Sequence, residues 1–286
     1  MSNVYKINNF KENSFHSNLY VNTFKKHLEQ HSFIESLHRH DFYVLVLFTK
    51  GSGSHKIDFD DFAIEEGSLF LMQPGQIHSW ELSPDIEGYI VFYSQEIYNL
   101  HFGMKKIESY LFYQSSKNNS AIILNKEELK SIIPFFDLMI AENKVNKIQK
   151  KDKILNLLDC IHIEILRIYN NIGEQESHIY NHKLKEFEAL LETHYKLEKA
   201  PSFYANKMAI TLKHLNRIAK TVLNKTITEL IANRVILESK RILVEQKKTV
   251  AQIADELGYE DYSYFSKFFK KHTGMTPKTF LKKTYQ

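Results

Sequence analysis

Residues 249 to 272 constrain the fold of this chain more than any other segment. Ala254 places a small side chain where two helices can touch, and Gly258 follows at the position where a left-handed residue ends a helix. A second helix follows, with aromatic residues on one side and polar residues on the other. Two short helices joined by a tight turn predict a helix-turn-helix unit. Its apolar side is formed by Val250, Ile253, Leu257, Phe265, Phe268 and Phe269.

A second, less regular copy of this pattern lies earlier, at about 202 to 221. Ala205 and Met208 line its first helix, and Thr211 is placed to cap its second. Between the copies, Ile227 to Val244 has the pattern of one continuous helix, which would span about 27 Å. That length is close to the ~34 Å between successive major-groove faces of a duplex. One rigid chain can therefore present two recognition helices to the same side of DNA.

The charge of the chain is divided between its two halves. Residues 1 to 176 contain 18 Lys and Arg against 23 Asp and Glu, whereas residues 177 to 286 contain 20 against 11. The net charges are therefore −5 and +9. A basic C-terminal half beside an acidic N-terminal half indicates that the second half meets a polyanion.

The N-terminal half has the pattern of a β domain followed by helices. Short runs of β-branched and aromatic residues occur from about 15 to 94, separated by turn pairs such as Pro74-Gly75 and Pro84-Asp85. This spacing favours an antiparallel sandwich or barrel, and we expect a barrel. From 95 to 172 the hydrophobic period becomes helical, and Asn125 is placed to cap one of these helices.

A further helix is predicted from about Lys147 to Asn171, and it carries a heptad-like seam. Its apolar residues alternate between spacings of four and three. Such a seam packs either against the protein's own strands or against a second copy of the chain. We carry the dimer interface forward as the prediction. The residues assigned to it are Ile154, Leu158, Ile161, Ile165 and Ile168.

Other features bear on the domain boundary and the compartment. No apolar run approaches the ~18 residues that a membrane span needs. Cys160 is the single cysteine, which excludes an internal disulfide and a multi-cysteine zinc site and agrees with a cytoplasmic location. A polar, glycine-led segment predicts a linker at 174–179. We therefore expect an N-terminal domain over 1–173 and a helical domain over 180–286.

The second half resembles the AraC/XylS type of bacterial transcription regulator over about Asn181 to Leu281. The stretch IADELGYEDYSYFSKFFKKHTGMTPKTF carries most of the resemblance, and LNRIAK with NRVILESKRIL adds to it. The resemblance implies a DNA-binding domain that reads two adjacent major grooves. Arg217 has the guanidinium fork suited to guanine, and Asn216 has the amide suited to adenine. The full set of expected DNA contacts is Lys213, Asn216, Arg217, Lys220, Tyr262, Ser263, Lys267, Lys270 and Lys271.

The first half resembles a cupin barrel, a fold common among N-terminal domains of this regulator family. His38 and His40 lie two apart on a predicted strand, and GSLFLMQPGQIHSW supplies His78 and Trp80. In metal-bearing cupins three histidines and a carboxylate converge, but here Val44 or Leu45 occupies the expected glutamate position. We therefore predict that His38, His40, His78 and Trp80 line a pocket for a small-molecule effector, with no metal and no cofactor.

These features predict a sequence-specific, effector-controlled transcription regulator and not an enzyme. Its expected partners are double-stranded DNA, the effector, a second copy of the chain and RNA polymerase, with no membrane. Two alternatives remain open: a cupin metalloenzyme carrying a DNA-binding appendage, and a DNA-binding protein whose barrel only dimerises. Neither a nucleophile motif nor a phosphate-binding glycine loop is apparent.

Overall fold

A computed structural model describes residues 3–10, 18–31, 37–107, 110–113, 120–172 and 178–284. The chain divides into two compact units, residues 2–174 and 175–286. Of the predicted linker at 174–179, residues 174–177 lie outside the described residues.

In its described part, the first unit is built on two five-stranded sheets. The strands are β1 (Asn3–Tyr5), β2 (Leu19–Thr23), β3 (His38–His40), β4 (Tyr43–Lys50), β5 (Gly53–Ile57), β6 (Asp60–Ile64), β7 (Ser68–Met72), β8 (Ile77–Leu82), β9 (Glu87–Tyr93) and β10 (Ala121–Ile123). Their order is β1-β3-β8-β5-β6 in one sheet and β10-β7-β4-β9-β2 in the other. All these pairs are antiparallel except β1 with β3. The domain is therefore a sandwich of two sheets and not a closed barrel.

The second sheet is buried on both faces, which explains why β4 is apolar at nearly every position. Val44 and Val46 point between the sheets, into an aromatic core that includes Phe70 and Phe92. Leu45 and Leu47 point to the opposite face, where helices cover them. The core between the sheets also contains several large aromatic and apolar side chains, namely Phe42, Phe48, Phe70, Met72, Trp80 and Phe92.

The run from Leu37 to Phe48 does not form one strand. It divides into β3 and β4, which belong to different sheets, because the chain bends at Asp41 and Phe42. The alternation rule that relates the side-chain directions of one strand therefore does not carry across this run.

The described residues of the first unit form four α-helices: α1 (Phe24–Gln30), α2 (Gln95–Phe102), α3 (Lys126–Asn143) and α4 (Lys150–Ile172). The predicted cap of α3 is present, since the Asn125 side chain accepts from the Glu127 and Glu128 amides at 2.9 and 3.0 Å. Glu128 in turn accepts from the Asn125 amide, which completes a capping box.

The seam on α4 is not available to a second copy of the chain. Its residues pack into the protein's own core with α3 and with the outer face of β4 and β9. Ile161 and Ile165 have no exposed surface within the single chain. The dimer prediction was therefore wrong for these side chains, because a surface already buried cannot contact a partner. The correction applies to Ile154, Leu158, Ile161, Ile165 and Ile168.

The second unit is helical throughout its described residues. Its helices are α5 (His178–His194), α6 (Pro201–Lys207), α7 (Leu212–Leu223), α8 (Ile227–Glu245), α9 (Val250–Glu256), α10 (Tyr262–Thr273) and α11 (Pro277–Thr284). They share one hydrophobic core, which contains Leu215 and Ile218 of α7 and Phe265 and Phe269 of α10. Among the described helices of the whole chain, none combines the length and apolar composition that crossing a bilayer requires.

Candidate functional site

The first helix-turn-helix unit consists of α6 and α7. Ala205 is buried at the contact between the helices. Ala209 adopts a left-handed conformation with φ of 52°, and the amide of Ile210 then donates to the Ala205 carbonyl at 3.1 Å. The Thr211 side chain accepts from the His214 amide at 3.1 Å, so α7 begins where the sequence predicts.

The second helix-turn-helix unit consists of α9 and α10 and repeats this plan with a turn one residue longer. Ala254 is buried at the contact, and Gly258 takes the left-handed conformation with φ of 69°. The amide of Tyr259 donates to the Ala254 carbonyl at 2.9 Å. Asp261 caps α10 by accepting from the Ser263 amide at 2.7 Å.

Both recognition helices present exposed polar faces. On α7, Arg217 is exposed and lies 2.9 Å from the His214 ring nitrogen. On α10, Tyr262 is 59% exposed although it is aromatic. Phe268, which we expected to point inward, is only half-buried and lines a surface groove. The other expected contacts that are exposed are Lys213, Lys220, Ser263, Lys267, Lys270 and Lys271.

Asn216 makes a contact that sequence reasoning did not foresee. Its side-chain oxygen accepts from the Ile227 amide at 3.0 Å, which ties the middle of α7 to the start of α8. A bidentate pairing with adenine needs both the oxygen and the nitrogen of the amide. The Ile227 amide engages this oxygen and holds the side chain against the start of α8, so Asn216 is placed to position α7.

The helix between the two units is long and well anchored. It has 19 residues, corresponding to about 28 Å. Thr226 and Glu229 form a capping box at its start. Arg234 lies over the Tyr195 ring at 3.9 Å and donates to Glu192 at 2.8 Å, which fixes α8 against α5. Burial opposes the charge of Arg234, but Glu192, Tyr195 and Glu238 together outweigh it and raise the pKa of the guanidinium group.

The three predicted histidines of the first unit come together between the sheets. His38 and His78 pair across β3 and β8, and their ring centroids lie 4.2 Å apart. The Nε2 atoms of His40 and His78 lie 2.9 Å apart. One ring nitrogen from each of the three lies within 4.8 Å of the others. Among the described residues, this group contains no carboxylate.

A fourth histidine, His55, completes a chain of hydrogen-bonded rings. Its Nε2 lies 2.9 Å from His78 Nδ1, so His78 bridges His55 and His40. The sequence reasoning missed His55. The available signal was its spacing of two from Ile57, which puts both side chains on the inner face of β5.

These rings are held in their neutral form. Burial, with a smaller contribution from nearby His38, lowers the pKa of His55 to about 3. Burial also holds the pKa values of His40 and His78 well below the usual range, with the neighbouring histidines as a second cause. Neutral imidazoles retain lone pairs, so the cluster is suited to bind an electron-pair acceptor or a hydrogen-bonding ligand.

Trp80 borders the same cluster. Its ring lies 4.9 Å from the rings of both His55 and His78, and it is 4% exposed. Its Nε1 makes no hydrogen bond to the described residues, nor do His40 Nδ1 and His55 Nδ1. Buried polar atoms without partners are costly, so the site is built to accommodate more than apolar packing.

A separate polar network lies on the outer face of the second sheet. Asp159 on α4 accepts from the Tyr98 and Tyr110 hydroxyls at 2.5 and 2.7 Å and from Lys105 at 2.6 Å. His162, one turn further along α4, lies 2.9 Å from the Tyr93 hydroxyl. The Asp159 contacts join α4 to α2 and to the segment that follows it, and the His162 contact joins α4 to β9. The polar residues of α4 therefore have partners beside its buried seam.

Two family models match the chain. Residues 18–178 match the AraC-like ligand binding domain, and residues 204–283 match a helix-turn-helix domain. The chain is 26% identical over 246 residues to the HTH-type transcriptional activator RhaR of Mannheimia succiniciproducens, covering 84% of this chain and 85% of that protein. It is 23% identical over 265 residues to the uncharacterized HTH-type transcriptional regulator YdeC of Bacillus subtilis, covering 86% of each.

Among solved structures, ToxT from Vibrio cholerae is similar at 14% identity. The match covers 92% of this chain and 98% of that chain with a TM-score of 0.43, which is too low to bear on function.

The matched family models agree with the two units seen in the structure. The predicted fold class, an N-terminal sheet-rich domain followed by a double helix-turn-helix domain, is confirmed. Because the ligand-binding model alone spans more than half of the chain, the protein belongs to the AraC family, whose members are transcription regulators and not enzymes.

Proposed function

We propose that this regulator reads two adjacent major grooves with α7 and α10 and changes its DNA binding when a small molecule occupies the first unit. The observation that carries the DNA part is the pair of exposed cationic helices separated by α8. Each helix has its own capped start and apolar inner face. The +9 charge of residues 177–286 supports contact with phosphates.

The side chains on these helices have different roles in the proposal. Arg217 pairs with a guanine, since its fork matches O6 and N7, while Lys213 contacts neighbouring base edges. Tyr262 and Ser263 contact base edges at the start of α10. Asn216 holds α7 against α8 and does not read a base. Lys267 also contacts a base edge from α10, and the phosphate contacts are Lys220, Lys270 and Lys271.

The effector part of the proposal rests on the cluster between the sheets. His38, His40, His78 and Trp80 offer ring nitrogens among buried aromatic side chains. A ligand that binds one arrangement of the protein more tightly than another shifts the population between them. Ligand binding can therefore change the DNA affinity by no more than the difference between the ligand's affinities for the two arrangements.

The protein acts as a homodimer in this proposal, through a surface other than the buried seam of α4. RNA polymerase is its further partner when it activates transcription, which is supported by the names of similar proteins. Analytical ultracentrifugation of the full chain tests the dimer. A monomer at every concentration, with and without DNA, would contradict it.

DNA binding is tested by fluorescence anisotropy with a duplex from the region upstream of its own gene. We expect saturable binding, and the logarithm of the association constant should fall linearly with the logarithm of the salt concentration. An unrelated duplex of equal length is the control and should bind more weakly. If no duplex binds at low salt, the proposed function is wrong.

Effector binding is tested by thermal unfolding of the full chain against a panel of metabolites. A ligand at 100 times its dissociation constant stabilises the folded state by about 2.7 kcal/mol. The same ligand should change the affinity for the upstream duplex. If the ligand still stabilises the Trp80→Leu variant, and if adding the ligand leaves the DNA affinity unchanged, the ligand binds at a site other than the histidine cluster.

A further inference from the structure

The second unit carries a surface groove between α8 and α10, and its apolar wall has no part in the proposed reading of DNA. The wall includes Ile231, Ala232 and Val235 from α8 and Phe268 from α10, and Tyr259 lines the groove from the turn before α10. The volume of this α8–α10 groove is about 450 Å³, within the ~300–1,000 Å³ range of small-molecule pockets. It is therefore large enough for a compact organic ligand.

The charge on the lining of the groove is positive and unbalanced. Lys199 lies just before α6, and Lys267 and Lys271 lie one turn apart on α10. Among the described residues that line the groove, none is Asp or Glu. Burial lowers the pKa of His272, as does Lys271 beside it, so this ring is uncharged at neutral pH. The groove is therefore complementary to an anion that has an apolar body.

The hydroxyl of Tyr259 provides a second, independent observation. The side chain is only 8% exposed, and its hydroxyl makes no hydrogen bond to the described residues. Burial raises the pKa of Tyr259 above its ordinary value, so the hydroxyl stays protonated and can donate. A buried donor without an acceptor is costly, and an oxygen atom of a ligand would satisfy it.

Aromatic side chains indicate the shape of the ligand. The ring centroids of Tyr264 and Phe268 lie 6.0 and 5.6 Å from that of Tyr259. These spacings are typical of offset and edge-to-face ring pairs, so a further flat ring can pack among them. The ammonium of Lys199 lies 4.6 Å from the Tyr259 ring centroid, which places a cation directly beside this aromatic surface.

We propose that the α8–α10 groove binds a small aromatic carboxylate. The ring of the ligand packs against Tyr264 and Phe268, and its carboxylate accepts hydrogen bonds from the Tyr259 hydroxyl and from the lysines. The site belongs to the second unit, so it is separate from the effector site proposed between the sheets.

The consequence for DNA binding rests on the proposed function, because Lys267 and Lys271 are also the proposed DNA contacts of α10. A carboxylate held by these lysines competes with the duplex for them. The ligand therefore lowers the affinity for DNA, and DNA lowers the affinity for the ligand by the same factor.

The alternative is that the groove is only a part of the surface that faces DNA. Phosphate oxygens would satisfy Lys267 and Lys271, but a phosphate has no apolar part to cover Ile231 and Phe268. The two interpretations differ in what Tyr259 does. In a surface that only faces DNA, loss of its hydroxyl changes the affinity for no aromatic acid, whereas in the proposed site this loss weakens binding.

The first experiment titrates biphenyl-4-carboxylate into the full chain at low salt and follows binding by calorimetry. We expect one site per chain. Biphenyl-4-methanol, which has nearly the same shape without the charge, should bind at least about 10-fold more weakly. Absence of saturable binding, or equal binding of the alcohol, overturns the site. Decanoate carries the same charge on a flexible chain, and binding as tight as that of the aromatic acid overturns the aromatic class.

The second experiment repeats the titration with variants of the groove. Tyr259→Phe removes only the hydroxyl, so it should weaken binding of biphenyl-4-carboxylate by about 10-fold or more without lowering stability. Lys199→Gln and Lys271→Gln should each weaken it by about 2- to 5-fold. Lys278→Gln is the matched control, because it makes the same charge change on α11, outside the groove. Wild-type affinity in Tyr259→Phe and in both lysine variants of the groove places the ligand elsewhere and overturns the site.

The third experiment adds biphenyl-4-carboxylate to the complex with the upstream duplex and follows fluorescence anisotropy. We expect the acid to release the duplex, and Tyr259→Phe to require about 10-fold more of it, whereas Lys278→Gln requires the wild-type amount. An acid that binds the groove and leaves the DNA affinity unchanged overturns the competition. Calorimetry without DNA decides the ligand site, and anisotropy without the acid decides the proposed function separately.

Discussion

The two helix-turn-helix units share a plan but differ in how their turns are built. Each has a buried alanine at the helix contact, Ala205 or Ala254, and a left-handed residue four positions later, Ala209 or Gly258. In both, the next amide donates back to the alanine carbonyl. The left-handed residue is alanine in the first helix-turn-helix unit and glycine in the second.

The surroundings of the turn, and not its backbone angle alone, explain this difference. A Cβ on Gly258 would lie 2.4 Å from the Lys196 carbonyl oxygen, and this neighbour is backbone that cannot rotate away. Ala209 carries a Cβ in the same left-handed conformation. A left-handed residue in such a turn therefore has to be glycine when another segment of backbone packs against the place of its Cβ.

The largest expected effect comes from Gly258→Ala. The left-handed conformation costs roughly 1–2 kcal/mol for a residue with a Cβ, and the clash with Lys196 adds to it, so we expect a loss of about 2–4 kcal/mol. Urea unfolding of the full chain, followed for the helical domain, measures this. A loss below 1 kcal/mol would show that the loop around Lys196 yields easily.

The second prediction separates the DNA-reading roles of the two units. Arg217→Ala should lose about 1–3 kcal/mol of DNA affinity and relax specificity at one base pair. Lys270→Ala, on the other recognition helix, should weaken binding to all sequences alike and reduce the salt slope. Competition binding against a set of single-base operator variants checks both. A uniform loss for Arg217→Ala would reassign it to a phosphate.

The third prediction concerns the ends of the recognition helices. Gly274 ends α10 with φ of 78°, and a Cβ there would meet nothing within 4 Å. Gly274→Ala should therefore cost only about 1 kcal/mol, from the backbone conformation alone. Asn224 ends α7 in the same conformation without being glycine. Urea unfolding tests this, and a cost equal to that of Gly258→Ala would contradict the argument about the clash.

The smallest effect is expected for Ala209→Gly. Glycine relieves the strain of the left-handed turn but adds freedom to the unfolded chain, so the net gain should stay below about 1 kcal/mol. Thermal unfolding of the full chain measures it. A clear loss of stability would mean that the Ala209 methyl group contributes packing that offsets its strain.

The sequence predicted the helical domain better than the domain of sheets. Ala254, Gly258 and Asp261 act locally, so their pattern reveals the turn and the start of α10 without knowledge of distant residues. His55 meets His78 only because β5 pairs with β8, and this long-range pairing leaves no local pattern. The seam of α4 was recognised correctly as apolar, but its period cannot tell whether sheet or partner covers it.

The hydrogen bond from the Ile227 amide to Asn216 sets a limit on how this regulator can evolve. It ties α7, the recognition helix of the first helix-turn-helix unit, to the start of α8. The length of α8 therefore sets the distance from α7 to the second helix-turn-helix unit. Inserting one residue in α8 would rotate the second helix-turn-helix unit by about 100° about the axis of α8 and move it by about 1.5 Å along that axis. Base-pair steps are about 3.4 Å. The interval between the two sites on DNA is therefore not tuned by small changes in helix length, and promoters must adjust their spacing to the protein.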